Sequence, residues 1–249
     1  MHPVLIPSNP SGSVKMGELK LDKSKDKIES MFDEIAPSYD KLNHLFTLNV
    51  DIRWRKEIVK YIKNNNIRSS NVLDIASGTG DLTAELLYLQ PVKICAVDIS
   101  RNMLDIQRKK IPDKNLELIQ SDVKSMPFES SLFDIVTIGF GVRNFEHLED
   151  SIKEIRRVMR PGGRLVVLEM FRSGGMKTGM FNLYFGKVMP YFGNKISGSK
   201  YAYSYLFKSV NSFLTVSEFI SVCRKCGFEY EFTKNNFLGI VNTVYLKAI

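Results

Sequence analysis

Two carboxylates bracket a glycine turn in the stretch from Asn71 to Asp81, and these residues are the best suited of the chain to bind a small molecule. Asp74 precedes the turn and Asp81 follows it, while Gly78 and Gly80 permit positive φ values and a close approach of the backbone to a ligand. Because carboxylates repel a pyrophosphate and attract a cation, the pattern favours a positively charged ligand.

The turn departs from the dinucleotide-binding pattern G-x-G-x-x-G, because Thr83 occupies the third glycine position. S-adenosylmethionine carries an amine and a sulfonium, so it is a cation of the kind that the two acids suit. The stretch also resembles the first motif of class I methyltransferases. Since a lone G-x-G is a weak signal, an ordinary strand-turn-helix without a ligand is the alternative at this point.

Acidic residues recur where successive strands are expected to end, at Asp74, Asp98 and Asp122. In an open α/β sheet the ligand lies outside these carboxyl ends. A carboxylate at Asp98 can accept hydrogen bonds from both ribose hydroxyls, and Asp122 is placed to accept one from the adenine amino group. Val123 and Met103 would cover the ring. Each acid alone could be a helix cap or a loop residue, but the three together favour a cofactor site.

Strands and helices alternate from residue 72 onward, and this alternation predicts the elements that position the acids. The predicted strands span 72–75, 93–98, 116–120, 133–139, 164–169, 228–232 and 240–246. The predicted helices between them span 103–110, 148–159 and 216–226. Only a short turn separates the last two strands, which must therefore pair antiparallel. The expected fold is α/β and Rossmann-like: a seven-stranded, mostly parallel sheet with one antiparallel strand and helices on both faces, which resembles class I methyltransferases.

Three helices are predicted ahead of the first strand, so residues 22–70 are expected to form an N-terminal helical cap and residues 71–249 the methyltransferase domain. Asp51 is a good N-cap for the third of these helices. Residues 1–21 carry no periodic pattern and predict a flexible tail. No apolar run approaches the length of a membrane span, and three cysteines are too few for a disulfide framework, so the cytoplasm is the expected location.

Three stretches resemble signatures of the ubiquinone and menaquinone biosynthesis C-methyltransferases. They are residues 39–44 followed by Trp54, residues 140–144, and residues 157–165 running through Glu169. The resemblance extends from about residue 32 to the C terminus. Three positions depart from the family pattern, and the third of them would alter the rim of the substrate pocket: Leu42, Ser77 and Phe171.

The resemblance implies methyl transfer from S-adenosylmethionine to a ring carbon of a polyprenylated quinol, with Thr79, Asp98 and Asp122 contacting the cofactor. Demethylmenaquinol is the expected substrate. The alternative substrate is 2-methoxy-6-polyprenyl-1,4-benzoquinol of the ubiquinone pathway, because both quinols are substrates of the same enzyme family. The full set of predicted cofactor-binding residues is Asp74, Ala76, Gly78, Thr79, Gly80, Asp98, Met103, Asp122, Val123 and Gly139.

An ionised quinol hydroxyl pushes electron density onto the neighbouring ring carbon, so the site needs a group that stabilises a phenolate or takes its proton. Arg143 is predicted to stabilise the phenolate, and Asn144 to orient the ring oxygen. Tyr39 and His44 are further candidates from the cap, His44 as a base of near-neutral pKa or as a packing residue. Asp81 is predicted to hold the methionine amine or a water in line with Arg143. The base is left open, and no metal is expected.

For Arg143 the alternative is a structural ion pair, and Glu146 is the carboxylate close to it in sequence. The two hypotheses differ in what Arg143→Ala should do. A phenolate stabiliser would leave cofactor affinity near native and lose turnover about a hundredfold. A structural residue would lower the melting temperature and weaken both ligands. We expect the catalytic outcome.

The segment 172–213 is basic and aromatic, with six Lys or Arg, no Asp or Glu and ten aromatic residues in a chain of formal net charge +8. Aromatic residues among basic ones suit single-stranded nucleic acid, and an RNA-binding or RNA-modifying methyltransferase is therefore an alternative function. They equally suit a prenyl tail at an anionic membrane surface, or a helical pair packed on the core. We favour peripheral membrane contact and expect no nucleic-acid partner. The oligomeric state is left open, with a homodimer as one alternative.

Overall fold

The structure is a computed structural model that describes residues 21–47, 49–172, 200–237 and 239–249. The predicted flexible tail therefore lies outside the described residues except for its last one, Leu21. Most of the basic aromatic segment, from residue 173 to residue 199, also lies outside them. Within the described part of the chain, no helix is long and apolar enough to cross a bilayer.

The cap consists of α1 (Lys25–Ile35), a 3₁₀ turn that contains Pro37, α2 (Tyr39–Thr47) and α3 (Val50–Asn64). Trp54, Ile58 and Ile62 recur at helical spacing on α3 and are all buried, as an amphipathic helix requires. This confirms the three predicted helices.

The prediction that Asp51 caps α3 is wrong. The residue preceding the helix is Asn49, in the left-handed conformation with a φ of 62°. Asp51 lies inside the first turn and is fully buried, where Arg55 and Thr47 donate hydrogen bonds to its carboxylate. These side-chain donors, and not free backbone N–H groups, therefore satisfy its oxygens.

The strands form one seven-stranded sheet in the order β3-β2-β1-β4-β5-β7-β6. β7 is antiparallel to both of its neighbours, while the other neighbouring strands are parallel, so the expected sheet is confirmed. The chain leaves β1 in one direction and returns to β4 on its other side, which makes the gap between β1 and β4 the switch point where ligands bind in such sheets. The strands are β1 Asn71–Ile75, β2 Lys93–Asp98, β3 Leu116–Gln120, β4 Phe133–Gly139, β5 Met159–Met170, β6 Phe228–Phe237 and β7 Val241–Ala248.

Two strands are longer than predicted because pairing continues beyond the apolar runs. β5 begins at Met159, which pairs with Phe133. The register of the β4–β5 pair then shifts around Gly162, which has a positive φ. β6 continues to Phe237, which pairs with Val241 across the hairpin.

Helices cover both faces of the sheet, and alternate residues of β1 show this directly. Leu73 and Ile75 pack in a cluster with Ile155 of the helix after β4. Val72 points the other way, into a cluster with Ile58 of α3. In the described part of the chain the other α-helices are α4 Asp81–Leu86, α5 Arg101–Lys110, α6 Leu148–Val158, α7 Lys200–Ser212 and α8 Val216–Lys225.

Candidate active site

The glycine turn after β1 brings the ends of β1, β4 and α5 close together. A Cβ on Gly80, where φ is 88°, would lie 2.6 Å from Cγ of Gln107. A Cβ on Gly141, after β4, would clash with Cβ of Ala76. Ala76 and Phe140 themselves adopt left-handed conformations, with φ of 51° and 59°. Such strained positions in non-glycine residues concentrate at functional sites.

Asp98 ends β2 and lies 8% exposed beside the turn. The backbone N–H of Gly78 donates to Oδ2 at 2.8 Å, and that of Ser100 donates to Oδ1 at 2.9 Å. Burial raises the pKa of Asp98 to about 6, although these backbone donors oppose the shift. Each oxygen keeps a further lone pair, so the carboxylate can still accept two hydroxyl groups. This geometry fits the predicted ribose contact.

A cavity of about 840 Å³, including its open mouth, lies along the carboxyl ends of the strands. It brings together residues of the cap, the turn and the strand ends that are far apart in sequence. Nine of the predicted site residues line it: Tyr39, Ala76, Gly78, Asp98, Met103, Asp122, Val123, Gly139 and Asn144.

A smaller cavity of about 360 Å³ adjoins the first and shares Tyr39 and Gly78 with it. Three more predicted residues, Asp74, Thr79 and Asp81, line this smaller cavity. The remaining predicted residues line neither cavity: Gly80, His44 and Arg143.

Both carboxylate oxygens of Asp74 are engaged by hydroxyl groups. Thr83 of α4 donates to one at 2.6 Å and Thr137 of β4 to the other at 2.7 Å. Burial raises the pKa of Asp74 to about 6, against the lowering effect of both threonines. Asp74 thus joins β1, β4 and α4 beneath the turn, and its direct contact with a cofactor stays a prediction.

Asp81 and Thr79 belong to a network that ties the cap to the turn. Thr79 Oγ1 donates to Asp40 of α2. Lys110 of α5 donates to Asp40 at 2.9 Å and also to Asp81. Arg55 of α3 lies 3.4 Å from the other oxygen of Asp81. The sequence carries no signal for these pairs, because they join four separate elements.

His44 faces this network. Its Nδ1 lies 3.0 Å from Asp51 and its Nε2 lies 3.6 Å from Asp81. One ligand atom from each of the three side chains lies within 4.8 Å of the others, which is a spacing that a metal ion could use. Arg55 pairs with both carboxylates and Lys110 with Asp81, so cations of the chain already neutralise them. We therefore interpret the grouping as an ion-pair network.

Arg143 follows β4 in a single 3₁₀ turn and is buried. Its guanidinium donates to Glu169 at 2.7 Å and to the Phe140 carbonyl at 2.6 Å. Burial lowers the pKa of Arg143, but Glu169 together with Tyr39 and Tyr205 acts against it, and the net shift is upward. Glu146, the alternative partner suggested by the sequence, is exposed beside His147, so that pairing is wrong. Glu169 ends β5, and the strand-end rule that selected Asp98 could have found it.

Asn144 lies next to Arg143 and lines the larger cavity. Its Oδ1 accepts a hydrogen bond from the Tyr205 hydroxyl of α7 at 3.1 Å. Tyr205 is itself packed against Ile28 and Met31 of α1, so α1 and α7 together cover this end of the site. The amide oxygen is thereby used, which leaves the amide nitrogen as the donor for a ligand.

A sheet of this strand order, with a glycine turn after β1 and a buried acid at the end of β2, is typical of the Rossmann-like methyltransferases of class I. Solved structures share the fold. A SAM-dependent methyltransferase of Thermotoga maritima, described as a possible histamine N-methyltransferase, aligns with a TM-score of 0.62 and 18% identity over 89% of this chain and 99% of its own. The [4+2]-cyclase SpnF aligns with a TM-score of 0.63 and 12% identity over 90% and 96%. The fold therefore hosts more than one chemistry.

The chain belongs to the ubiE/COQ5 methyltransferase family, whose sequence profile matches residues 20–245. It is 39% identical over 210 residues to the demethylmenaquinone methyltransferase of Chlorobaculum tepidum, covering 83% of this chain and 86% of that one. It is 32% identical over 236 residues to the ubiquinone/menaquinone biosynthesis C-methyltransferase UbiE of Campylobacter jejuni, covering 91% and 100%. The predicted family is confirmed, and the protein is a methyltransferase that uses S-adenosylmethionine.

Proposed function

We propose that this enzyme methylates a ring carbon of demethylmenaquinol, the last step of menaquinone formation. The observation that carries the proposal is one cavity that joins Asp98, at the cofactor end, to Asn144 and the aromatic side chains of Phe32, Phe140 and Phe145. A planar aromatic substrate suits such a lining. Relatives from Chlorobaculum tepidum and Thermotoga maritima, at 39% and 37% identity, are named demethylmenaquinone methyltransferases.

The residues at the cofactor end would hold S-adenosylmethionine by complementary groups. Asp98 accepts hydrogen bonds from the ribose hydroxyls, and Asp122 accepts one from the adenine amino group. Met103 and Val123 cover the ring, since all four side chains line the same cavity. Bound there, the cofactor supplies a methyl group on a positively charged sulfur.

At the other end of the cavity, the chain must favour an ionised quinol oxygen. Loss of the hydroxyl proton lets the ring carbon attack the methyl group, and the carbon–sulfur electron pair stays on sulfur. The ring carbon then loses its hydrogen as a proton and one proton returns to oxygen, so one proton is released overall. Asn144 donates its amide N–H to the ring oxygen, and Tyr39, which lies beside Gly78, closes the cavity towards the cap.

The prenyl tail of such a substrate lies in a membrane, and we propose peripheral contact with its cytoplasmic face through the segment 172–213. The described end of this segment packs inward. Tyr205 and Phe213 are buried, and the Phe213 ring lies 5.7 Å from that of Phe171. The proposed contact therefore falls to residues 173–199, which lie outside the described part of the chain.

Turnover with purified quinols tests the function. The chain is incubated with S-adenosylmethionine and either demethylmenaquinol or 2-methoxy-6-polyprenyl-1,4-benzoquinol. The quinones are then extracted and their masses are determined by mass spectrometry. We expect methylation of demethylmenaquinol. Methylation of the benzoquinol alone would move the substrate to the ubiquinone pathway. A chain that binds S-adenosylhomocysteine but methylates neither quinol would refute the proposal.

Two further measurements test cofactor binding and the RNA-binding alternative. Calorimetry with S-adenosylhomocysteine should show binding that Asp98→Ala abolishes. A gel shift with single-stranded RNA at physiological salt should show no complex. A salt-dependent shift that is lost on neutralising Lys195, Lys200 and Lys208 would instead favour the RNA-modifying alternative.

A further inference from the structure

Arg143, the cation that the sequence predicts for the substrate oxygen, makes its guanidinium contacts through one nitrogen, Nη1, outside the larger cavity. Its guanidinium binds Glu169 and the Phe140 carbonyl, and it is not among the residues that line the larger cavity. Its charge is balanced by that of Glu169 at 2.7 Å. A phenolate in this cavity therefore needs a cation from among the residues that line it.

Lys23 supplies one. It lies just ahead of α1, half-buried, and it lines the cavity together with Asn144. Its Nζ donates to the backbone carbonyl of Arg143 at 2.6 Å and lies 5.8 Å from the centre of the Phe213 ring. No carboxylate of the described residues forms an ion pair with this ammonium. Two of its three N–H donors are thus left for a ligand.

We propose that Lys23 is a catalytic residue that binds and stabilises the ionised ring oxygen of the aromatic substrate. This inference deepens the proposed function and rests on it for the identity of the substrate as a quinol. The ammonium is anchored one residue from Asn144, the predicted donor to the same oxygen, so the two donors can converge on one acceptor. Such convergence is how a site stabilises developing negative charge.

Partial burial distinguishes Lys23 from the other lysines of this cavity. Lys25 and Lys124 also line it but are exposed, where water screens their charge. Among the described residues, Arg143 and Glu169 are the charged groups that act on Lys23, and Tyr39 and Tyr205 act on Arg143.

The same surroundings act on the ammonium itself. Burial, and then the charge of Arg143, lower the pKa of Lys23, while Glu169 opposes them. A cation destabilised in this way gains more from an anionic ligand than a solvated one does.

The first test is the turnover of Lys23→Met with demethylmenaquinol. We expect kcat to fall about a hundredfold while the Kd for S-adenosylhomocysteine stays near native. Lys27→Met is the matched control, because Lys27 is an exposed lysine of α1 that does not line the cavity. Lys23→Arg keeps the charge and should recover part of the lost rate. Melting temperatures of all variants identify any loss of folding.

The second test uses 1-naphthol as a simple aryl alcohol, in the presence of S-adenosylhomocysteine. The absorbance difference between naphthol and naphtholate reports ionisation of the bound probe. We expect the native chain and Lys27→Met to lower the pKa of naphthol by about one unit or more, and Lys23→Met to remove this shift.

The two proposals fail in different ways. A naphthol pKa that is equally lowered in the native chain and Lys23→Met, or equal quinol turnover in both, would overturn the role of Lys23 and leave the proposed function standing. A native chain that lowers the naphthol pKa through Lys23 but methylates no quinol would support the role of Lys23 and refute the proposed function.

Discussion

Asp98 is the last residue of β2 and Asp74 the last but one of the neighbouring β1, and their carboxylate oxygens accept hydrogen bonds from different groups. Asp98 accepts backbone N–H groups at the wall of the larger cavity, whereas Asp74 accepts two threonine hydroxyls beneath the turn. Burial raises the pKa of both to about 6. Because the folded state then holds protons more tightly than the unfolded state, the free energy of unfolding falls as the pH rises between about 4 and 6.

The raised pKa of Asp98 predicts that cofactor affinity depends on pH in the opposite direction. The ionised carboxylate accepts both ribose hydroxyls, so binding of S-adenosylhomocysteine should be about tenfold weaker at about pH 5 than at about pH 7. Calorimetry across this range measures the change. Asp98→Asn should remove the pH dependence, while Asp74→Asn should retain it. An affinity that is flat between these pH values in the native chain would contradict the proposed contact.

The Arg143–Glu169 pair changes the prediction for Arg143→Ala. Removing the guanidinium leaves Glu169 fully buried without its counter-charge, which should cost about 3–5 kcal/mol of unfolding free energy. Urea denaturation measures this loss. The double variant Arg143→Met with Glu169→Gln should recover much of the stability, because it removes both charges. A single variant as stable as the native chain would restore the purely catalytic hypothesis for Arg143.

At the scale of elements, hydrogen bonds and ion pairs tie the cap to the glycine turn after β1. Asp40 of α2 meets Thr79, and Lys110 of α5 bridges Asp40 and Asp81. Tyr39, at the start of α2, lies on the cavity side of the same junction. The position of α2 beside the glycine turn therefore depends on contacts made by α5 and the turn.

Lys110→Met should loosen α2 without unfolding the domain. The lysine is partly exposed, so we expect the Kd for S-adenosylhomocysteine to rise only about two- to fivefold, with faster hydrogen exchange in α2 and little change in unfolding free energy. Lys109→Met, an exposed neighbour on the same helix, is the control and should behave as native. Identical exchange in α2 for both variants would show that the bridge does not hold the cap.

At the scale of the whole molecule, a formal net charge of +8 is concentrated in part in the segment 172–213, which holds no acidic residue. Its described end joins the core through Tyr205 and Phe213, which lie beside Asn144 and Lys23 of the larger cavity. A prenylated substrate drawn from a membrane would arrive at this side.

Cosedimentation with vesicles tests that arrangement. The chain should bind vesicles rich in anionic lipid at low salt concentration and dissociate from them as the salt concentration is raised. It should not bind neutral vesicles. Neutralising Lys177, Lys187 and Lys195 should abolish binding. Neutralising three exposed lysines elsewhere, Lys60, Lys63 and Lys114, should not. Equal losses in both triple variants would show a general charge effect and no docking surface in the segment.

The sequence by itself determined the strands, the glycine turn after β1 and the place of Asp98 at a strand end, because these follow from local signals. Apolar runs, a turn that needs Gly80, and an acid at the end of a strand are each readable within a few residues. The family signatures around residues 39–44 and 157–169 added the reaction class. The conformation of each of these stretches is fixed mainly by its own residues, so no distant contact was needed to place them.

Only the tertiary structure decided which charges meet. Glu169, and not its sequence neighbour Glu146, pairs with Arg143, and Lys23 reaches the carbonyl of Arg143 across 120 residues of chain. Asp51, which the sequence predicted to be a helix cap, is a buried ion-pair partner of Arg55. An ion pair depends on the distance between atoms and on burial, and sheet order and helix packing set both through contacts that no local pattern records.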